Sequence, residues 1–102
     1  MSVTVIAKIT PQPEHRDAVK AALLEVIPAV HAEPGCELYS LHEAPEGFVM
    51  VEKWASVEDL GVHGKAPALT GLTEKIGTLL AGPLEVTVAN PIPAGDADRG
   101  AL

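Results

Sequence analysis

Residues 48–54, Phe-Val-Met-Val-Glu-Lys-Trp, alternate with a period of two, and this stretch constrains the fold more than any other. On a strand, Phe48, Met50, Glu52 and Trp54 share one face, and Val49, Val51 and Lys53 share the other. Burying Trp54 and Phe48 carries Glu52 into the same interior. A carboxylate costs free energy there unless it gains a partner or a function. The surrounding stretch, Glu33 to His63, holds all three aromatic residues (Tyr39, Phe48, Trp54), the only cysteine and two of the four histidines. In a chain so poor in aromatics, this concentration reads as the wall of a cavity.

The remaining elements follow from pattern and punctuation. Val3 to Thr10 is a β-branched run with Val3, Val5, Ala7 and Ile9 on one side, stopped by Pro11 and Pro13. From Glu14 to about His31 the period becomes helical through Val19, Leu23, Val26 and Val30, and Pro28 tightens the last turn. Glu33-Pro34-Gly35 is a turn and Cys36 to Glu43 a second strand. Residues 44–47 make a hairpin connection, with Gly47 free to take a positive φ. Phe48 to Trp54 follows as the third strand. Ser56 caps a short helix that ends near His63, and Gly64 and Pro67 interrupt it. Leu69, Leu72, Ile76, Leu79 and Leu80 mark another helix, closed by Gly82-Pro83. Leu84 to Asn90 is the last strand, with Leu84, Val86 and Val88 inward.

The order β-α-β-β-α-β predicts an α+β fold, a four-stranded antiparallel sheet with helices on one face. The second face carries valine and isoleucine and needs a cover, which predicts a homodimer. One domain is expected over residues 1–91, followed by a flexible tail over 92–102.

Composition excludes several partners. A formal charge of −7 and a pI near 4.9 lack the basic footprint that nucleic acid or an anionic membrane surface requires. One cysteine allows no internal disulfide, and paired-cysteine metal motifs are absent, which fits a reducing cytoplasm. The first residues do not read as a signal peptide, and no apolar run is long enough to span a bilayer. No phosphate-binding glycine loop occurs, and no histidine pair has metal-ligand spacing.

The first strand, the Glu33-Pro34-Gly35-Cys36 turn followed by Tyr39, the strand carrying Glu52 and Trp54, and His63 together resemble the antibiotic biosynthesis monooxygenase family. Within it, the likeness is to the small bacterial quinol monooxygenases, and it extends over roughly residues 3 to 90. The resemblance implies a ferredoxin-like dimeric α+β barrel with a pocket between sheet and helices in each subunit. It also implies oxidation of quinols, anthrones or similar polyphenols by O2 without metal or flavin. Where many members carry Ser/Thr-Pro-His after the first histidine, this chain has Lys65-Ala66-Pro67-Ala68, so a second histidine is missing.

Such an oxidation needs a base of near-neutral pKa, hydrogen-bond donors for a developing phenolate, and apolar walls. His63 suits the base, Trp54 can stack on substrate and donate its indole N–H, and Glu52 can orient or charge a histidine. Tyr39, Phe48 and Met50 are candidates for contact with a small aromatic substrate. Each has a structural alternative: His63 as a helix cap, Trp54 and Phe48 as core, Glu52 paired across the sheet with Lys8. By strand parity Tyr39 falls on the face opposite Cys36, Leu38, Ser40 and His42. Two other functions fit the same fold. One is haem binding or degradation with His63 on iron, although the first strand lacks the asparagine of haem-degrading relatives. The other is a non-catalytic ligand-binding or regulatory module.

Overall fold

The computed structural model describes residues 2–102. Strand β1 (Val3–Ile9) leads through a 3-10 turn (Pro13–His15) into helix α1 (Arg16–His31). Strands β2 (Cys36–Ala44) and β3 (Gly47–Trp54) form a hairpin. Helices α2 (Val57–Lys65) and α3 (Pro67–Ile76) and strand β4 (Glu85–Ala89) complete the fold. The strands lie in the order β2-β3-β1-β4, and every neighbouring pair is antiparallel. This is the ferredoxin-like α+β arrangement that the element order predicts.

Alternation decides the core. Val3, Val5, Ala7 and Ile9 of β1 are buried, as are Phe48, Met50, Glu52 and Trp54 of β3. From α1, Val19, Ala22, Leu23 and Val30 pack against the same cluster, joined by Leu72 and Ile76 of α3. Each fully buried large side chain contributes about 1.5–3 kcal/mol, which makes this layer the main source of stability. Lys8 lies opposite Val49 on the other face of the sheet, so it does not pair with buried Glu52.

Three local expectations are corrected. Gly47 does not have a positive φ; a side chain there would strike the Ile9 carbonyl oxygen and Pro11, so close approach of β1 demands glycine. The helix through Leu69 stops at Ile76, because the chain beyond it turns back to pair with residues 10–12. Leu79 O accepts from Gln12 N (2.9 Å), and Ala81 N donates to Thr10 O (2.8 Å). The third concerns parity: an irregularity between Cys36 and Leu38 sets Cys36 opposite Trp54 and Tyr39 opposite Glu52. Glu37 is the extra residue, so Cys36 and Tyr39 share the helix-facing side despite their odd spacing.

Val86 and Val88 pair with Ala7 and Val5 and so face inward as expected. They nevertheless stay 58% and 56% exposed, because the helices do not extend over β4. Beyond β4, residues 92–102 form no helix or strand. Asp96 accepts from the backbone of Asp98 and Arg99, and Lys53 donates to the carbonyl of Leu102. No helix is long and apolar enough to cross a membrane among the described residues.

Candidate active site

The C-terminal end of β3 is where the sequence brings a carboxylate inside. Glu52 and Trp54 project to the helix-facing side, and Trp54 Nε1 donates to Glu52 Oε1 at 2.9 Å. Above them lies His63, in the last turn of α2. Ser56 sets the start of that helix: its hydroxyl oxygen accepts from Asp59 N at 3.1 Å. The imidazole stacks on the Trp54 ring, with centroids 4.4 Å apart and planes 27° apart, and meets the Tyr39 ring edge-on at 5.6 Å.

Both nitrogens of His63 face carboxylates. Nδ1 lies 2.7 Å from Glu33 Oε1, and Nε2 lies 3.9 Å from Glu52 Oε1. Glu33 comes from the turn between α1 and β2. That turn is fixed by Gly35, whose φ of 76° puts it in the left-handed region and whose bare Cα accommodates the Asp59 side chain. Ala55 N donates to Gly35 O at 2.8 Å, tying the turn to the start of α2. The site is therefore assembled from three separate parts of the chain. Nothing local to Glu33 signals its role; it is distinguished only by the turn that carries it to His63.

The cluster is dry. The side chains of His63, Glu52 and Glu33 are 5%, 7% and 12% exposed. Burial raises the Glu52 carboxyl above the usual carboxylate range, against the opposing pull of the Trp54 N–H and His63, and the charge of Glu33 adds to the rise. Burial, then the Glu52 and Glu33 charges, raise the Tyr39 phenol. Burial, then the Glu33 and Glu52 charges, raise the half-buried Cys36 thiol as well. Among the described residues Glu33 Oε2 is buried without a hydrogen-bond partner, and the carboxylate is held at Oε1 by His63.

A cavity of about 300 Å³ opens against this cluster, between the sheet and helices α2 and α3. Tyr39, Met50, Glu52 and His63 line it, as do aliphatic residues of α2, α3 and β4. Two expected contacts do not reach it. Phe48 sits at the far end of β3 beneath Arg16, whose Cζ lies 5.2 Å from the ring centroid, and so is not a cavity residue. Trp54 is fully buried behind His63 and supports the wall without forming it. His31 instead binds the backbone, its Nε2 3.0 Å from Tyr39 O. Among the described residues no three His, Cys, Asp or Glu side chains converge as a metal-binding group.

Comparison with known proteins agrees with this architecture. The family model described as antibiotic biosynthesis monooxygenase matches residues 2–74. "Putative monooxygenase Rv0793" of Mycobacterium tuberculosis is 35% identical over 97 residues, covering 93% of this chain and 96% of that one. Its solved structure superposes with a TM-score of 0.86 at 34% identity, over 94% of this chain and all of that one (100%). "Probable quinol monooxygenase YgiN" of Escherichia coli is 31% identical over 87 residues, covering 72% of this chain and 84% of that one. A structure from Caulobacter crescentus, 24% identical with a TM-score of 0.83 over 89% of this chain and 90% of that one, shares the fold. The chain is a member of the antibiotic biosynthesis monooxygenase family.

Proposed function

We propose that the protein is a cofactor-independent monooxygenase that oxidises a small aromatic quinol or anthrone-like compound with O2. The observation that carries this reading is His63, held on Nδ1 by Glu33, with Nε2 turned toward Glu52 where the cavity meets the cluster. With Nδ1–H donating to Glu33, the Nε2 lone pair is free. A hydroxyl seated on the cavity side of Nε2 and Glu52 Oε1, which are 3.9 Å apart, lies within reach of both and donates its one proton to Nε2. The couple takes the quinol proton, and the imidazolium so formed lies between two carboxylates.

The quinolate then gives electrons to O2 held in the cavity beside this buried cluster. One oxygen atom bonds to the ring, and the other leaves as water with two hydrogens from the quinol, so a quinol and O2 give a hydroxyquinone and water. The protein's contribution is deprotonation, orientation and exclusion of bulk water. The lost second histidine is no obstacle to this scheme, since Glu52 supplies the second proton-accepting group. The working form in this proposal is a homodimer joined through the uncovered sheet face.

Oxygen consumption by metal-stripped protein with a panel of hydroquinones and anthrones tests the reading. Uptake well above autoxidation, lost in His63→Ala, is the expected result. Uptake equal to autoxidation across the panel, or undiminished in His63→Ala, overturns it.

A further inference from the structure

The cavity has a sharply uneven lining. Its polar groups at the β3 end are Tyr39, Glu52 and His63, and a further hydroxyl is that of Thr73 on α3. The body of the cavity is aliphatic, with Leu60 on α2, Leu69 and Leu72 on α3, and Leu84, Val86 and Val88 along β4. Among the described residues no lysine or arginine lines it, and its aromatic walls are the rings of Tyr39 and His63. The opening lies on the β4 side. Val5 is 2% exposed while its partner Val88 on the same face is 56% exposed.

From this asymmetry we propose that the site selects an uncharged phenolic ring bearing an aliphatic substituent, and that β4 sets this preference. The inference rests on the proton-abstracting site described above. The hydroxyl sits at His63 and Glu52, and the substituent runs outward over Leu84, Val86 and Val88. Burying methylene groups against these side chains is favourable. A carboxylate on the same substituent loses hydration without finding a cation, and shares the cavity with the acid Glu52. Anionic analogues are therefore rejected by the absence of a partner as well as by repulsion.

Isothermal titration with two redox-inactive phenols isolates binding from oxidation. One ligand is para-pentylphenol; the other is the same molecule with its terminal methyl replaced by carboxylate. The neutral ligand is expected to bind the wild-type protein at least about tenfold more tightly. Val86→Lys, at a half-exposed position that tolerates a long side chain, narrows that ratio several-fold by strengthening binding of the anion. Val86→Thr, which adds polarity without charge, keeps the anion weak. Equal binding of the two phenols, no saturable binding of the neutral one, or a ratio unmoved by Val86→Lys overturns the proposal. Oxygen uptake with pentylhydroquinone is read separately. Tight binding of the phenol with no uptake above autoxidation would contradict the monooxygenase reading and leave the selectivity of the cavity standing.

Discussion

The two ends of β3 are built from the same parts and do different work. At its start, Phe48 is buried beneath the guanidinium of Arg16, whose acidic partner is Glu43. At its end, Trp54 is buried beneath the imidazole of His63, whose acidic partners are Glu33 and Glu52. The difference is water. The Arg16 and Glu43 side chains are 30% and 49% exposed, and hydrogen bonds from Lys20 and Arg16 hold the Glu43 carboxyl below its usual range. Arg16 also donates to the carbonyls of Ala44 and Pro45, so it clamps the hairpin to α1. At the other end the charges are buried, and the Glu52 carboxyl is pushed up instead of down. A permanently charged arginine at a solvated rim can only hold the structure together. A titratable histidine beside a raised carboxyl and a cavity can move a proton.

Four substitutions sharpen or break this contrast, and the largest effect falls on His63. His63→Gln removes the base while keeping a polar side chain, and should lower kcat/KM for oxygen uptake by about a hundredfold or more. Glu33→Gln should cost about tenfold, mainly in kcat, because the amide can present its NH2 to Nδ1 and favour the wrong tautomer. An unchanged kcat would make Glu33 a turn residue only.

Arg16→Lys tests the other end. Lysine cannot reproduce the forked contacts to two carbonyls or the planar packing on Phe48, so the fold should lose about 1 kcal/mol and Tm about 4–8 °C. Activity per folded molecule should hold.

Glu52→Gln gives the smallest stability change and a diagnostic sign. The folded-state pKa of Glu52 lies above its unfolded value, so its contribution is fully present below the unfolded pKa and is lost as pH rises through the folded one. Glutamine carries no such penalty and still accepts from Trp54. The Tm of Glu52→Gln should therefore exceed that of the wild type at neutral pH, with the gap closing in acid. Melting curves across pH read this directly, and a gap that widens in acid would mean that the carboxylate is stabilised by its surroundings.

Much of this was legible in the sequence. Period-two alternation in 48–54 placed Glu52 beside Trp54 on an inward face, and the Ser56 cap followed by Glu58 and Asp59 placed His63 at the end of a short helix. Parity was less informative about position along a strand. It put Phe48 on the right face but could not show that the cavity runs past Met50 and Glu52 and leaves both Phe48 and Trp54 outside its lining. The bulge at Glu37 carries no glycine or proline to announce it, so Cys36 and Tyr39 read as opposed when they are not. Glu33 was hidden for a different reason: its partner lies 30 residues away, and only the folded turn at Gly35 brings the two together.

The most direct test of the account is one paired measurement on His63→Gln and Arg16→Lys, taking oxygen uptake with a neutral hydroquinone and Tm on the same samples. A double dissociation is expected: His63→Gln loses far more uptake per folded molecule than its change in Tm explains, and Arg16→Lys loses Tm with uptake per folded molecule retained. If His63→Gln keeps its uptake, or if uptake in both variants simply follows their stability, the Trp54 end of β3 is not a site of proton transfer.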